Sequence, residues 1–360
     1  MADSLEITYK DETPQFHSFD LIDLYSAHLR SVICRELEAA EDKKPLTGLK
    51  IVVDSGNGSS GFFVEKILNV LGADTNGSQF LEPDGMFPNH IPNPENKQAM
   101  KSIQSAVIKN KADLGLIFDT DVDRMGAVFD DGTEISRNSM IALICAIIAP
   151  QYPKSTIVTD SVTSDTLTYF LEKELGLYHL RYMRGYKNVI NKQIELNEKG
   201  VLCPLAMETS GHGALKENYY LDDGAYLAVK IIIALAKLKK EGKKLSSLIE
   251  KLPPICEQTD YRLKILEEDF EEYGKTVLED FEQFAFEGNI EVQKSYEGVR
   301  LRFDSENCKG WILLRLSLHE NVMPLNMEGE RPGDLEKLKK AARRLLGGFD
   351  GLDLSSLENS

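Results

Sequence analysis

The 360-residue chain contains no C-x-x-C pair, no run of basic residues and no apolar stretch long enough to cross a bilayer. Each absence removes a class of function. The cysteines, Cys34, Cys145, Cys203, Cys256 and Cys308, are odd in number and widely spaced, which argues for a reducing compartment and against a structural zinc or a disulfide framework. With 42 basic against 58 acidic side chains the formal charge is −16, so neither a nucleic-acid footprint nor an electrostatic hold on a membrane surface is expected. A small anionic substrate stays compatible if local basic groups gather it. The most apolar stretch, Ile141 to Ala149, falls short of the ~20 residues a membrane helix takes. The opening residues, Met-Ala-Asp-Ser-Leu-Glu, have neither signal-peptide nor transit-peptide character, which makes the cytosol the expected location.

What remains is an ordinary globular composition, 42% apolar and 28% charged, in a chain long enough for two or three cores. Apolar positions at Leu21, Leu24, Tyr25, His28, Leu29 and Val32 recur at helical spacing. Leu49 to Asp54 then reads as a buried strand, Ser55-Gly-Asn-Gly58 as a turn, and the following residues as a helix to about Leu71. Strands and helices alternate from there, which implies βα units and a largely parallel sheet. An internal echo links two such units: Ile51-Val-Val-Asp-Ser55 with Ile157-Val-Thr-Asp-Ser161, and Phe63-Val-Glu-Lys66 with Phe170-Leu-Glu-Lys173. Chance similarity between strand-turn-helix units is the alternative. The expected fold is α/β, with two tandem related α/β domains followed by a smaller α+β C-terminal domain. The expected boundaries are a polar segment at 1–17, domains at 18–135, 136–252 and 253–348, and a frayed acidic tail at 349–360.

Four groups of residues can carry chemistry. Asp119-Thr-Asp-Val-Asp-Arg124 follows an apolar strand and sets carboxylates at alternate positions of a loop, where Asp119, Asp121 and Asp123 offer hard oxygen ligands suited to Mg²⁺. A calcium EF-hand is excluded, because Arg124 stands where that loop needs glycine. A solvated acidic loop and a haloacid-dehalogenase-type phosphatase, with Asp123 against its pattern, stay open. Met207-Glu-Thr-Ser-Gly-His-Gly213 gathers Glu208, Ser210 and His212 in a Gly-rich loop fit to hold sugar hydroxyls, or built so for local turn reasons. In Arg184-Gly-Tyr-Lys-Asn188, Lys187 can transfer protons or stand exposed at a helix start. Arg300, Arg302, Arg315 and Ser317 can grip a phosphate, or the arginines can pair across strands with acids such as Glu297 or Asp304.

In this order the motifs resemble the alpha-D-phosphohexomutase family, the phosphoglucomutases and phosphomannomutases, over roughly residues 20 to 346. The Asp119-to-Arg124 loop is similar to the family's D-x-D-x-D-R magnesium loop, and Glu208, Ser210 and His212 to its G-E-x-S-G-H sugar loop, with Met207 where glycine is usual. Gly185-Tyr-Lys187 resembles the G-F-K or G-Y-K segment of domain three; Pro83 to His90 and Pro92 to Glu95 resemble a stretch of domain two. The phosphate loop, about R-x-S-N-T-E-P, is met by Arg315, Ser317 and Glu320 but not by Leu318, His319 or Asn321. The family's T-A-S-H-N-P-like phosphoserine segment does not occur in these residues.

The resemblance implies a phosphohexomutase polypeptide that interconverts hexose 1-phosphate and 6-phosphate with Mg²⁺ and a hexose 1,6-bisphosphate intermediate. Lys187, Arg124 and His212 would act near the reacting end, Glu208 and Ser210 on sugar hydroxyls, and Arg315 and Ser317 on the distal phosphate. The alternative is a shortened member that binds metal and sugar phosphate without turnover. Pro83 to Glu95 and Thr209 to Leu221 look most like a plastid-associated branch, so the plastid is the alternative location if an upstream region exists.

Overall fold

The computed structural model describes residues 18–317 and 320–358. The polar segment 1–17 and the phosphate-loop residues Leu318 and His319 lie outside the described residues.

The first α/β unit opens with α1, Leu21–Glu36, started by the Asp20 side chain, which accepts from Asp23 N at 2.9 Å. Its buried face is Ser26, Leu29, Val32 and Ile33, whereas Leu21 and Leu24 of the expected stripe face solvent. Strand β1, Ile51–Asp54, is followed by a π-helix, Phe63–Leu68, then α2, Lys97–Asn110, β2, Leu114–Phe118, β3, Met125–Phe129, and β4, Glu134–Ile135. They form one sheet in that order, with β1 and β2 parallel and the later pairings antiparallel. Residues 74–79 bridge to the other side of β1 in parallel.

The second unit runs through α3, Arg137–Ile148, β5, Thr156–Asp160, α4, Asp165–Tyr169, and a π-helix, Phe170–Glu174. It continues with β6, Tyr178–Tyr182, α5, Tyr186–Glu198, β7, Leu205–Met207, β8, Gly213–Leu215, and α6, Gly224–Lys240. The sheet order is β6-β5-β7-β8, parallel except for β8. The echoed segments occupy equivalent places: Ile51 is the first residue of β1 and Ile157 the second of β5, and the two Phe-x-Glu-Lys stretches open the two π-helices.

The expected largely parallel sheet holds in the second unit, apart from β8, and is corrected in the first, where hairpins make the β2–β3 and β3–β4 pairings antiparallel. Asp119 to Arg124 and Glu208 to His212 are too short for the crossover a parallel return requires, so the chain turns straight back. Both chemistry-bearing loops are therefore turns at strand ends. One continuous core joins the two units, with α3 buried on nearly all sides; this accounts for the apolar run Ile141 to Ala149. Among the described residues no helix is long and apolar enough to cross a membrane.

The C-terminal domain is α+β with its own core. Its elements are β9, Glu257–Ile265, α7, Phe270–Glu287, β10, Glu291–Gln293, β11, Val299–Asp304, β12, Lys309–Leu314, β13, Val322–Gly329, α8, Asp334–Leu346, β14, Leu352–Asp353, and α9, Ser355–Glu358. The strands form an antiparallel sheet in the order β10-β11-β12-β13-β9-β14. The expected frayed tail is corrected through residue 358. Strand β14 pairs with β9, and Leu352 and Leu357 are buried, each contributing about 1.5–3 kcal/mol of burial.

Candidate functional site

The acidic loop is buckled by its own first residue. Asp119, delivered by β2 and 3% exposed, accepts at Oδ1 from Val122 N and Arg124 N, both 3.1 Å, and at Oδ2 from Arg124 Nε at 2.8 Å. The buckle forces Val122 to φ +73°, a costly backbone state for a β-branched residue and one that persists only where surroundings hold it. Asp119, Asp121 and Asp123 then present ligand oxygens all within 4.8 Å of one another. Burial, then the neighbouring Asp119, push the Asp123 carboxyl up to about 7. Among the described residues no hydrogen bond reaches the buried Asp123 Oδ1, and Arg124 Nε stands 3.9 Å from it. Crowded carboxylates with an unbonded buried oxygen fit a hard divalent cation, and each carboxylate oxygen has lone pairs enough for Asp119 to hold the loop and still offer one ligand atom.

The Gly-rich loop meets this one directly. Arg124 and His212 form an antiparallel backbone bridge, and His212 Nδ1 lies 3.8 Å from Asp123 Oδ2 and 2.7 Å from Asp222 Oδ2. Burial opposes protonation of His212, but Asp222 and then Asp123 outweigh it and raise its pKa. Glu208, 4% exposed, accepts from Gly185 N at 2.6 Å, and Ser210 Oγ is 3.5 Å from its other oxygen. Burial, then Asp160, lift Glu208 to about 7, so near neutrality its carboxyl can both accept from and donate to a hydroxyl.

Two glycines permit this approach. A Cβ on Gly211, whose φ is +101°, would meet Met125 O at 3.0 Å, and one on Gly224 would meet Val122 O and Arg124 C at 2.8 Å. Because those obstacles are backbone atoms of the acidic loop, Gly224→Ala is expected to cost about 1–3 kcal/mol and to weaken cation binding. A thermal melt with and without Mg²⁺ checks both; an unchanged melt and an unchanged metal response would show that the loop tolerates the displacement.

Lys187 is exposed on the first turn of α5, with Nζ 5.9 Å from the Tyr186 ring, and that ring stacks on His212 at 5.0 Å. Arg315, buried at the end of β12, reaches Glu297 Oε1 and Asn326 Oδ1, each at 3.5 Å. Ser317 is partly buried and donates its backbone N to Val322 O, while the Asn321 side chain donates to Ile265 O at 3.3 Å. Asp160 and Arg184 act electrostatically on both Glu208 and Arg315, which joins the Gly-rich loop to the C-terminal domain. A cleft of about 360 Å³ between them is lined by Thr209, Trp311, Asn326 and Glu328. A smaller one of about 160 Å³ runs past Thr209, Ser210 and Met125.

Arg300 and Arg302 are elsewhere engaged. Both bond to Asp165 of the second unit, at 3.0 and 3.2 Å, and Asp304 pairs with Lys309. The reading that placed these two arginines on a phosphate, or opposite Asp304, is corrected: they tie domains together. Sequence reasoning missed Asp222, the acid that holds His212. No motif marks Asp222; the adjacent Asp223 caps α6 by accepting from Tyr226 N.

Residues 23–132 match the family model described as phosphoglucomutase/phosphomannomutase, alpha/beta/alpha domain II, and residues 136–255 match alpha/beta/alpha domain III of the same family. The chain belongs to the phosphoglucomutase/phosphomannomutase family. Among members, it is 31% identical over 292 residues to a phosphomannomutase/phosphoglucomutase of Pseudomonas syringae pv. tomato, a match covering 81% of this chain and 59% of that protein. A phosphoglucomutase of Neisseria gonorrhoeae is 26% identical over 306 residues, covering 84% and 62% respectively. A phosphoglucomutase/phosphomannomutase family structure from Burkholderia thailandensis aligns with TM-score 0.73 and 26% identity, over 92% of this chain and 65% of that one. The chain thus spans between 59% and 62% of the length of these two curated relatives.

Proposed function

We propose that this chain binds a hexose phosphate together with Mg²⁺, as the binding body of a phosphohexomutase, and does not by itself turn the substrate over. The observation that carries the reading is the backbone bridge between Arg124 and His212, which brings the carboxylate cluster and the Glu208–Ser210 loop into one site. Bound at Asp119, Asp121 and Asp123, the cation would supply charge neutralisation to a phosphoryl group. Glu208 and Ser210 hold ring hydroxyls. Arg315 and Ser317 take the phosphate at the far end, and Lys187, Arg124 and His212, the last steadied by Asp222, serve the near end. None of these groups is a phosphoryl donor, and the T-A-S-H-N-P-like segment is not in the sequence.

Full interconversion of hexose 1-phosphate and 6-phosphate through the bisphosphate is the second reading. Lys187, retained beside the Tyr186–His212 stack, favours it. Calorimetry with glucose 1,6-bisphosphate tests the first: binding is expected in Mg²⁺ and about tenfold weaker or absent with a chelator. A coupled assay from glucose 1-phosphate separates the two, because turnover abolished by Asp121→Ala would replace the binding-only reading. No binding with or without metal would remove both.

A further inference from the structure

Arg315 is a buried guanidinium short of partners. It is 8% exposed, and burial pulls its pKa down despite the opposing pull of Glu297. Its side-chain contacts to Glu297 and Asn326 are both 3.5 Å long, and its buried Nε has no hydrogen-bond partner among the described residues. A guanidinium carries several N–H donors in a planar fork, so this one awaits a better acceptor.

Glu297 is held differently. The oxygen that faces Arg315, Oε1, also accepts from Arg184 N at 3.0 Å and from Ser161 Oγ. Donors from the end of β5, from the turn before α5 and from the end of β12 therefore meet at one carboxylate oxygen, across a domain boundary. Such convergence of backbone N–H, hydroxyl and guanidinium is the donor set that binds a phosphate oxygen.

We propose that Glu297 is a resident anion, standing in place of a substrate phosphate opposite Arg315 and displaced when one arrives. The inference rests on the reading of Arg315 as the phosphate-gripping arginine. In the unliganded protein the carboxylate compensates a buried cation, which limits the cost of keeping Arg315 desolvated. On binding it is a competitor, since two anions at hydrogen-bond range of one another repel strongly. It also sets a threshold. A monoanionic carboxylate gains nothing over the group already present, whereas a phosphate dianion does, so Glu297 selects for phosphate.

The test is calorimetry of glucose 1,6-bisphosphate with the wild-type chain, Glu297→Gln and Glu297→Asp in Mg²⁺. Glutamine keeps an acceptor for Arg184 N and Ser161 Oγ but no charge, and is expected to bind about tenfold tighter. Aspartate keeps the charge and should bind within about twofold of wild type. Should Glu297→Gln bind equally or more weakly while wild type binds normally, Glu297 is a structural tie only and the inference falls, with the proposed function intact. If neither chain binds, Arg315 holds no phosphate and both readings fall. A measurement free of any variant runs in parallel: a large excess of acetate should leave the wild-type affinity for the bisphosphate unchanged, and competition by acetate would overturn the threshold.

Discussion

Replacing Asp121 with alanine is expected to lower Mg²⁺ affinity at least about 100-fold while leaving the metal-free fold as stable as wild type or slightly more so. Asp121 is exposed, so its loss removes little packing, and changes at such positions fall within about 0.5 kcal/mol. Its loss also relieves the crowding that drives the Asp123 carboxyl up to about 7, an effect to which Asp121 itself contributes. In wild type, Mg²⁺ at about 100 times its Kd should stabilise the protein by about 2.7 kcal/mol, visible as a raised Tm. In Asp121→Ala that rise should vanish. Asp119→Ala makes the necessary contrast. Because Asp119 bonds two backbone amides and Arg124 Nε, its removal should cost about 3 kcal/mol before any metal is added. A full Mg²⁺ response retained by Asp121→Ala would show that the cluster is not where the cation sits.

The difference between these neighbours marks what a sequence can and cannot disclose. Alternating aspartates after an apolar strand announce hard-oxygen chemistry because the ligands, the strand and the turn are contiguous. The pattern did not show that Asp119 is also the buckle, since this depends on which way the backbone amides of Val122 and Arg124 point. The tandem α/β architecture was legible for a similar reason: each strand-turn-helix unit is local, and its echo recurs in the two π-helices. Sheet direction was misjudged where a short loop replaced a crossover. Strand β13 carries Pro324 as its third residue, a poor strand former that cannot donate to the ladder, yet the proline carbonyl accepts from Arg315 N at 3.0 Å. The acidic end looked frayed, although Leu352 and Leu357 fill the C-terminal core and β14 covers the edge of β9. Above all, the partners of the buried charges were legible only in part, Glu297 among the offered acids but Asp165 not. Arg315 finds the nearby Glu297, but Arg300 and Arg302 find Asp165, on a different domain and far away in the chain.

That last pairing yields the largest expected effect on stability. Asp165 accepts from Arg181 at 2.6 Å, Arg300 at 3.0 Å and Arg302 at 3.2 Å, and Arg300, 3% exposed, lies 3.8 Å over the Trp311 ring and donates to Ser161 O. Burial, then Arg181, already pull the Arg300 guanidinium down to about 9 with the carboxylate in place. Asp165→Ala leaves that cation buried without its main counter-charge and is expected to cost about 3–5 kcal/mol. Since the C-terminal domain has a separate core, denaturant unfolding should split into two transitions rather than shift as one. The pH dependence has a definite sign. Burial raises the Asp165 pKa, but the three arginines outweigh it and hold it below the ordinary 3.8. Its contribution is therefore fully present above about pH 5 and lost as pH falls through 3.8 toward the lower folded value. Asp165→Asn should flatten that acid limb. Arg300→Met added to Asp165→Ala distinguishes the cause, because removing the stranded charge should restore part of the stability, whereas a loss due only to missing contacts would deepen. A single unfolding transition within about 1 kcal/mol of wild type for Asp165→Ala would show that the domains are held by something other than this carboxylate.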